Sequence, residues 1–275
     1  MSEPAAIPPR YDTLAEGYAR HWGPVIRPAA LALLDRIGSG LEAGTRVLDV
    51  GTGTGALAIE VLGRWPSTGV VGVDPSAAML GIASAVAREA LEPATAARFT
   101  TVSAFADELP FEDDGFDVVI SSFVLQLVPS RTAALAEIRR VLRPGGRLAW
   151  VTWLVGGQAF RADEVVDEVL DEFGFDPPDR DARSGDLASV AAAAAATRKA
   201  GFRDVHAEAD ALRHTWTPEA YAAFITEFDE ESTFAELASE ERDRAERRLL
   251  ERLRSLSAAD LTMELPIVYV SGIAR

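Results

Sequence analysis

This chain is predicted to fold as a doubly wound α/β protein built around a mostly parallel β-sheet. Strand-like and helix-like segments alternate between about residues 46 and 153, which is the pattern of parallel strands joined by crossover helices. The first strand leads directly into a glycine-rich turn at residues 51–55, and a helix-like segment follows. With 275 residues, 48% of them hydrophobic, the chain can bury a sizeable core.

The strands are predicted from short runs of β-branched and apolar residues separated by turn residues. They lie at residues 46–50, 69–73, 97–102, 116–121, 146–153, 204–216 and 266–273. Helices fill the gaps between them. Residues 132–142 show the helical pattern, because Leu135, Ile138 and Leu142 share one face and a Pro-Gly-Gly turn follows. Ahead of the sheet, residues 11–20 and 28–37 are predicted to form two short helices.

Two later segments interrupt this alternation. Residues 156–190 contain a polar, aspartate-rich connection, and an alanine-rich helix then ends at Gly201. Residues 217–256 begin with Thr217 as a helix N-cap and Pro218 in the first helical position. Both segments follow strands whose carboxyl ends should border the ligand crevice. We therefore expect them to form a helical lid.

The composition excludes several kinds of site. Cysteine is absent, so disulfides and thiolate metal sites are ruled out, and the three histidines are too scattered for a metal cluster. We expect no metal. A net charge of −16 would repel nucleic acid. Residues 1–10 lack a signal-peptide pattern, and no apolar stretch reaches the roughly 20 residues that span a membrane, so we expect a cytoplasmic protein without a membrane partner.

The glycine turn predicts a nucleotide-cofactor site. An apolar strand ends in Asp49-Val50 and passes into Gly51, after which a helix N-terminus points at the same spot. The turn alone is ambiguous, because its glycines also fit the dinucleotide fingerprint. At the end of the next strand Asp74 follows the turn by about 20 residues, where a carboxylate can accept hydrogen bonds from ribose hydroxyls. The alternative is that Asp74 caps the helix containing Met79.

These motifs, with others downstream, carry a resemblance to a known family. The matching residues are 47–55, 73–76 with Met79-Leu80, 109–111, 116–119, 121–126 and 141–146. In this order they resemble the class I S-adenosylmethionine-dependent methyltransferases, and more closely the type 11 and ubiquinone/menaquinone-biosynthesis group. The resemblance implies a Rossmann-like sheet of seven strands whose last strand is antiparallel.

The resemblance also implies a division of the chain. Residues 1–40 would be N-terminal helices that cap the cofactor site, and residues 41–155 would be the cofactor-binding core. Residues 156–190 would be a lid insertion. Residues 191–275 would complete the sheet and carry the helical insertion at 217–256.

Individual residues take roles in S-adenosylmethionine binding by the same resemblance. Asp49 and the amides around the turn would hold the methionine portion of the cofactor, with the backbone carbonyl of Ser121 on its ammonium group. Asp74 would bind the ribose, and Tyr11 and Tyr18 would close the pocket, although packing on the core explains the tyrosines almost as well. The other residues expected at the cofactor are Gly51, Thr52, Gly53, Gly55, Pro75, Met79, Phe105 and Ala106.

One position departs from the family pattern. Family members often have Gly-Asp-Ala where this chain has Ala104-Phe105-Ala106. Phe105 would then lie beside adenine, and the Ala106 amide would reach a ring nitrogen. Asp107 could replace the missing aspartate or point to solvent.

Methyl transfer from a sulfonium is an in-line displacement that depends mainly on alignment, so a general base is needed only for some acceptors. His214, near the end of a predicted strand, is the preferred candidate base, against the alternative of an ordinary polar residue on an edge strand. His21 is a weaker candidate. Gln126 is expected to orient the substrate. Trp153, Phe160 and Phe224 would wall an apolar acceptor or simply pack in the core.

The expected substrate is a small-molecule methyl acceptor, on family grounds a natural product or quinone-type intermediate. Two rival functions stay open. A nicotinamide-dependent oxidoreductase would use the same glycine turn but gives no reason for Asp49. A non-catalytic S-adenosylmethionine-binding regulatory protein would keep the fold without turnover. The sequence leaves the oligomeric state open between monomer and homodimer.

Overall fold

A seven-stranded mixed sheet forms the centre of the computed structural model, which describes residues 7–37, 41–175 and 185–275. The strands are β1 (Arg46–Val50), β2 (Gly69–Asp74), β3 (Phe99–Ser103), β4 (Phe116–Ser122), β5 (Leu142–Trp153), β6 (Phe202–Thr215) and β7 (Thr262–Ala274). Their order across the sheet is β3-β2-β1-β4-β5-β7-β6. Strands β1 to β5 pair in parallel, and β7 is antiparallel to both β5 and β6. The predicted fold class is confirmed, including the antiparallel last strand.

The strand order determines where a ligand can bind. The chain runs outward from β1 to β2 and β3, then returns to place β4 on the other side of β1. In doubly wound sheets, ligands bind outside the carboxyl ends of the strands at such a switch point. The glycine turn after β1 and the residues that follow β2 and β4 all lie at this edge.

Helices cover both faces of the sheet. They are α1 (Ile7–Gly17), α2 (Gly23–Ala32), α3 (Ala56–Arg64), α4 (Ala77–Ala90), α5 (Pro93–Ala96), α6 (Arg131–Val141), α7 (Arg161–Glu172), α8 (Val190–Lys199), α9 (Pro218–Phe224), α10 (Glu231–Glu236) and α11 (Ser239–Arg254). Two π-helical turns, Tyr18–Trp22 and Ile225–Asp229, follow α1 and α9, and a 3-10 turn, Leu33–Ile37, follows α2. In the described part of the chain, no helix has the length and apolar character needed to cross a membrane.

The core divides into two layers because successive residues of a strand point to opposite faces. Val47 of β1 and Val118 of β4 pack on one face with the N-terminal helices and the insertions. Leu48 and Val119 pack on the other face with α6 and α8. The N-terminal helices and the segments after β5 and β6 therefore share one side of the sheet.

Local sequence signals set several helix ends as predicted. Thr217 accepts a hydrogen bond from the Ala220 amide at 3.1 Å and Pro218 occupies the first turn of α9. Helix α8 ends at Lys199, and Gly201 adopts a left-handed backbone with φ 97° shortly after it. Such a conformation favours glycine, since it lacks a Cβ.

Several predicted boundaries were wrong. The N-terminal region has a nearly continuous helical run from Ile7 to Ile37 in place of the two helices at 11–20 and 28–37, and Pro28 lies inside α2. The strand predicted at 97–102 begins at Phe99, because α5 and its turn extend to Ala97. Strand β5 begins at Leu142, which pairs with Phe116 before the following residues bulge out and pairing resumes at Arg147.

The connection predicted after β5 contains a helix whose bounds the sequence did not predict. Residues 161–172 form α7, whose apolar positions are buried against the sheet-side core. Helix α11 packs beside it, and Arg248 and Arg252 of α11 donate to Glu172 at 3.0 Å each. The acidic face of α7 is thus neutralised by arginines from the second insertion. The remainder of that connection, residues 176–184, lies outside the described residues.

Candidate active site

The turn after β1 adopts a backbone that requires glycine. Gly51, Gly53 and Gly55 have positive φ angles of 69°, 52° and 84°. A Cβ on Gly51 would overlap the side chain of Val124, so glycine also allows the loop after β4 to approach closely. Helix α3 begins at Ala56, immediately after the turn. Backbone amides at a helix N-terminus are therefore available at the carboxyl edge of the sheet.

Asp74 links this turn to the end of β2. Its carboxylate accepts hydrogen bonds from the Gly53 amide at 3.0 Å and the Ser76 amide at 2.9 Å. The cap of α4 is Ser76, whose hydroxyl accepts from the Met79 amide at 3.2 Å. The alternative of Asp74 as the helix cap is therefore wrong. Burial raises the pKa of Asp74.

Asp49 lies beneath the turn and is only 1% exposed. The Thr52 hydroxyl donates to its carboxylate at 2.8 Å. Burial raises the pKa of Asp49 to about 7, against the opposing effect of the Thr52 hydrogen bond. A carboxylate held close to its neutral state becomes more charged when a cation binds beside it.

The larger of two adjoining cavities has a volume of about 700 Å³ and extends from the turn to an aromatic wall. The predicted cofactor residues in its lining are Tyr11, Tyr18, Gly51, Gly53, Asp74, Pro75, Met79, Phe105 and Ala106. A second cavity of about 370 Å³ includes Asp49 and Thr52. The two cavities share Tyr18, Ile26, Gly51 and Ser122, so they meet beside the turn. Gly55 lines neither cavity and acts through the start of α3.

Two serines, Ser121 and Ser122, end β4 beside the turn. Ser121 is buried, lines neither cavity and donates its hydroxyl to the Val50 carbonyl at 2.9 Å. Ser122 lines both cavities instead. Its hydroxyl is buried and has no hydrogen-bond partner among the described residues. The role expected for the Ser121 backbone carbonyl stays a prediction, and Ser122 is the serine that lines the cavities.

Helix α1 and the π-helical turn after it line one side of the larger cavity through Tyr11 and Tyr18. The rings of Tyr11 and Tyr18 meet edge to face with centroids 6.2 Å apart. Asp12 accepts hydrogen bonds from the Ser76 hydroxyl at 2.7 Å and the Ala78 amide at 3.1 Å. Since these groups lie at the start of α4, the N-terminal helix is tied to the segment that follows Asp74. Burial raises the pKa of Tyr18.

Aromatic rings form the opposite end of the cavity. Phe123 stacks on Trp153 with centroids 4.2 Å apart, and Trp22 lies beside Trp153 at 6.2 Å. Phe224 stacks behind Trp22 at 5.4 Å without lining the cavity, and Phe160 contacts Tyr221 outside it. Trp153, Phe160 and Phe224 were expected to wall the acceptor, and of these only Trp153 lines the larger cavity. Lysine, arginine and histidine are absent from the described lining of the larger cavity.

Comparison with known proteins identifies the core. A family model described as a methyltransferase domain matches residues 47–146. Residues 47–146 therefore match a methyltransferase domain. Over 146 residues the chain is 40% identical to the ubiquinone/menaquinone biosynthesis C-methyltransferase UbiE of Syntrophotalea carbinolica, a match that covers 52% of this chain and 56% of that protein. The chain therefore spans about half the length of the curated relatives it matches.

Two solved structures share the fold of the methyltransferase domain and its surroundings. Phosphoethanolamine N-methyltransferase 2 of Haemonchus contortus superposes with a TM-score of 0.58 at 22% identity, over 96% of this chain and 57% of that chain. The cyclase SpnF superposes with a TM-score of 0.59 at 19% identity, over 100% of this chain and 98% of that chain. At these identities the likeness concerns the fold alone.

The structure brings none of the three histidines into the lining of the two cavities. The His214 ring contacts Trp216 with centroids 4.5 Å apart, and its backbone pairs with Met263 at the edge of the sheet. His21 Nε2 lies 3.0 Å from Glu227 Oε2, which joins the two π-helical turns. His206 pairs with Ser271 within the sheet. His214 thus lies outside the lining of both cavities, and its role as a base stays a prediction.

Two polar residues, Gln126 and Thr152, are hydrogen bonded to each other at the aromatic end of the larger cavity. Gln126 lines the aromatic end as expected, but both ends of its amide are already hydrogen bonded, to Phe123 and Thr152. Thr152 was not predicted, since it sits in the middle of an apolar strand.

In the described residues, no group of three or more acidic or histidine side chains is placed to hold a metal ion.

Proposed function

We propose that this protein transfers the methyl group of S-adenosylmethionine to a small, uncharged, largely apolar acceptor. The observation that supports it is the continuity of the larger cavity, which joins the glycine turn and Asp74 at one end to Trp22, Phe123 and Trp153 at the other. A cavity of about 700 Å³ falls within the range of roughly 300–1,000 Å³ typical of ligand sites. Cofactor and acceptor would lie end to end within it.

The residues at the turn fit the cofactor in chemical type. Asp74 would bind the ribose hydroxyls, while Pro75 and Met79 would pack on adenine with Phe105, whose side chain is 50% exposed. Asp49 and the second cavity would take the methionine portion. Arg27 lines that cavity and would supply a counter-charge for the carboxylate by turning from Glu60, with which it pairs at 3.2 Å. When bound, the cofactor supplies an electrophilic methyl group.

The acceptor end favours an uncharged ring or acyl group. Aromatic walls bury planar apolar surface efficiently. The described lining has no lysine, arginine or histidine to neutralise a phosphate or carboxylate on the acceptor. The relative from Syntrophotalea carbinolica is named as a C-methyltransferase of quinone biosynthesis. That name supports a ring acceptor of comparable chemistry.

The protein's contribution to the reaction would be alignment and exclusion of water. Stacked rings hold the acceptor in a plane, and Gln126 orients it, while the closed N-terminal helix keeps the site dry. We assign no general base to the described wall, since it lacks histidine. An acceptor that attacks through its own lone pair or through an acidic ring position fits this site better than one that needs a strong base.

A screen for methyl incorporation tests the proposal. Metabolite extracts are incubated with the protein and S-adenosylmethionine labelled in the methyl group, and labelled products are identified by mass spectrometry. We expect label in an uncharged ring compound. Cofactor binding without incorporation from any extract would favour the regulatory alternative, and binding of NAD in place of S-adenosylmethionine would favour the oxidoreductase.

We further propose that the protein acts in the cytoplasm without a nucleic-acid partner, as a monomer or homodimer. The net charge of −16 supports the absence of a nucleic-acid partner, because a phosphate backbone would be repelled. Sedimentation of the purified protein with and without duplex RNA or DNA would measure both its mass and any such complex.

A further inference from the structure

The amide of Gln126 is held in one orientation by two neighbours. Its Nε2 donates to the Phe123 carbonyl at 2.7 Å, and its Oε1 accepts from the Thr152 hydroxyl at 2.6 Å. An amide flipped by half a turn would place two oxygen acceptors against each other at Phe123. Thr152 is completely buried, with 0% exposure. Its hydroxyl therefore donates its hydrogen bond to the Gln126 amide and has no access to solvent.

The carbonyl that Gln126 contacts belongs to a strained residue. Phe123 has a φ of 55°, a left-handed conformation that a bulky side chain rarely adopts. It is held there by its amide, which donates to the Val151 carbonyl at 2.9 Å, and by its ring on Trp153. Such strain persists only where the surroundings over-determine the backbone, and it concentrates at functional sites. The direction of the Phe123 carbonyl is thus fixed.

The main chain of Gln126 is fixed as well. Gly185 packs directly on the Gln126 carbonyl, and any side chain at position 185 would overlap it. Arg131 donates to the Leu125 carbonyl at 3.0 Å and also to the Gly185 carbonyl. Contacts with Gly185 and Arg131 therefore fix the position of the loop after β4.

These bonds leave the amide with one free N–H and one free lone pair. Gln126 lines the aromatic end of the cavity with Phe123 and Trp153. We propose that Thr152 is a positioning residue, which holds Gln126 so that its amide hydrogen-bonds an uncharged hydroxyl or carbonyl on a planar acceptor. This inference rests on the proposed function, because it concerns the acceptor end of the same cavity.

The test compares two variants that differ in one group. Thr152→Val keeps the shape of threonine and removes its hydroxyl, whereas Thr152→Ser keeps the hydroxyl. The probes are 1-naphthol and 1-methylnaphthalene, which are similar in shape but differ in hydrogen bonding. Dissociation constants are measured by tryptophan fluorescence with S-adenosylhomocysteine at saturation, since Trp22 and Trp153 line the cavity.

We expect the unmodified protein and Thr152→Ser to prefer 1-naphthol by roughly fivefold, the effect of about one net hydrogen bond. Thr152→Val should lose most of that preference and bind 1-methylnaphthalene unchanged. Equal binding of the two probes by the unmodified protein, binding of neither, or a Thr152→Ser variant that behaves like Thr152→Val would overturn the inference. A Thr152→Val variant that loses affinity for both probes alike would do the same, because the role of Thr152 would then be structural.

Calorimetry with S-adenosylhomocysteine alone separates this inference from the proposed function. All three proteins should bind it with the same affinity, because Thr152 contacts the acceptor end. If none binds it, the proposed function fails. If all bind it and the naphthol preference does not depend on the Thr152 hydroxyl, only the positioning role fails.

Discussion

At the scale of single residues, two carboxylates, the buried Asp49 and the half-buried Asp74, lie at the proposed cofactor end of the site. Asp74 is turned toward the glycine turn by two backbone amides, and Asp49 lies under the same turn with the Thr52 hydroxyl. Burial raises the pKa of both, Asp49 to about 7. Their environments predict different consequences when each charge is removed.

Replacement of Asp74 should weaken cofactor binding. Asp74→Asn keeps the size of the side chain but removes the charged acceptor for the ribose. We expect the dissociation constant for S-adenosylmethionine, measured by calorimetry, to rise roughly tenfold to a hundredfold, the usual loss for hydrogen bonds to a charged group. Asp35→Asn, at an exposed position outside the lining of both cavities, is the control and should leave the affinity unchanged. An unchanged affinity in Asp74→Asn would show that the ribose lies elsewhere.

Replacement of Asp49 should change how stability depends on pH. Its pKa rises from 3.8 to about 7 on folding, so the folded protein holds this proton more tightly than the unfolded chain. Stability from this group is complete at low pH and is lost as the pH rises through about 7. In urea unfolding at pH 5 and pH 8, Asp49→Asn should therefore gain stability relative to the unmodified protein at the higher pH. Parallel pH dependence of the two proteins would contradict this.

At the residue scale, the sequence predicted what depends on near neighbours. The glycine turn, Asp74 and Met79 lie within short motifs whose geometry is local. Thr152 and Gln126 are 26 positions apart and meet only because β4 pairs with β5. The position of Ser122 in the cavity lining likewise depends on how β4 ends before the left-handed Phe123. No local pattern in the sequence encodes either feature.

At the scale of elements, the carboxylate of Asp12 joins the N-terminal helix α1 to the start of α4. Asp12 of α1 accepts from Ser76 and Ala78 at the start of α4, and the Ser76 hydrogen bond lowers its pKa. The π-helical turn that follows packs Trp22 on Phe224 and joins Arg20 and His21 to Glu227, each at 3.0 Å. The helix is thus fastened to the core at one end and to the second insertion at the other.

Loss of the Asp12 contacts should loosen α1. In Asp12→Ala we expect faster hydrogen exchange of the α1 amides and a higher dissociation rate for S-adenosylhomocysteine, because Tyr11 and Tyr18 would close the cavity less often. The melting temperature should change little, since the sheet is untouched. Glu16→Ala changes an exposed acid on the same helix and is the control. Equal exchange in the two variants would count against the fastening role of Asp12.

The elements that sequence patterns failed to predict have identifiable causes. Helix α7 places Val165, Val166, Val169 and Leu170 on a buried face, at the spacing of an amphipathic helix. Its acidic residues made the segment resemble a solvent-exposed connection, and the arginines of α11 that neutralise them lie far along the chain. In the N-terminal region, π-helical turns continue the helix where a regular pattern would stop.

At the scale of the whole molecule, three distant segments build one site. The N-terminal helices, the turn after β1 and the loop after β4 all line the larger cavity. The strand order brings them together at the switch point between β1 and β4, which is a property of the sheet and was predictable from the alternation of strands and helices. A ligand that contacts all three segments should therefore stabilise the fold as a unit.

A thermal shift measurement tests this coupling together with the identity of the cofactor. A ligand that binds only the folded state at a hundred times its dissociation constant adds about 2.7 kcal/mol to the free energy of unfolding. For a chain of this size we expect S-adenosylmethionine to raise the melting temperature by roughly 5 to 10 °C. NAD at the same concentration should leave it unchanged, because Asp49 and the second cavity suit a methionine ammonium group and have no counterpart in a dinucleotide. A shift with NAD and none with S-adenosylmethionine would instead assign the glycine turn to a nicotinamide cofactor.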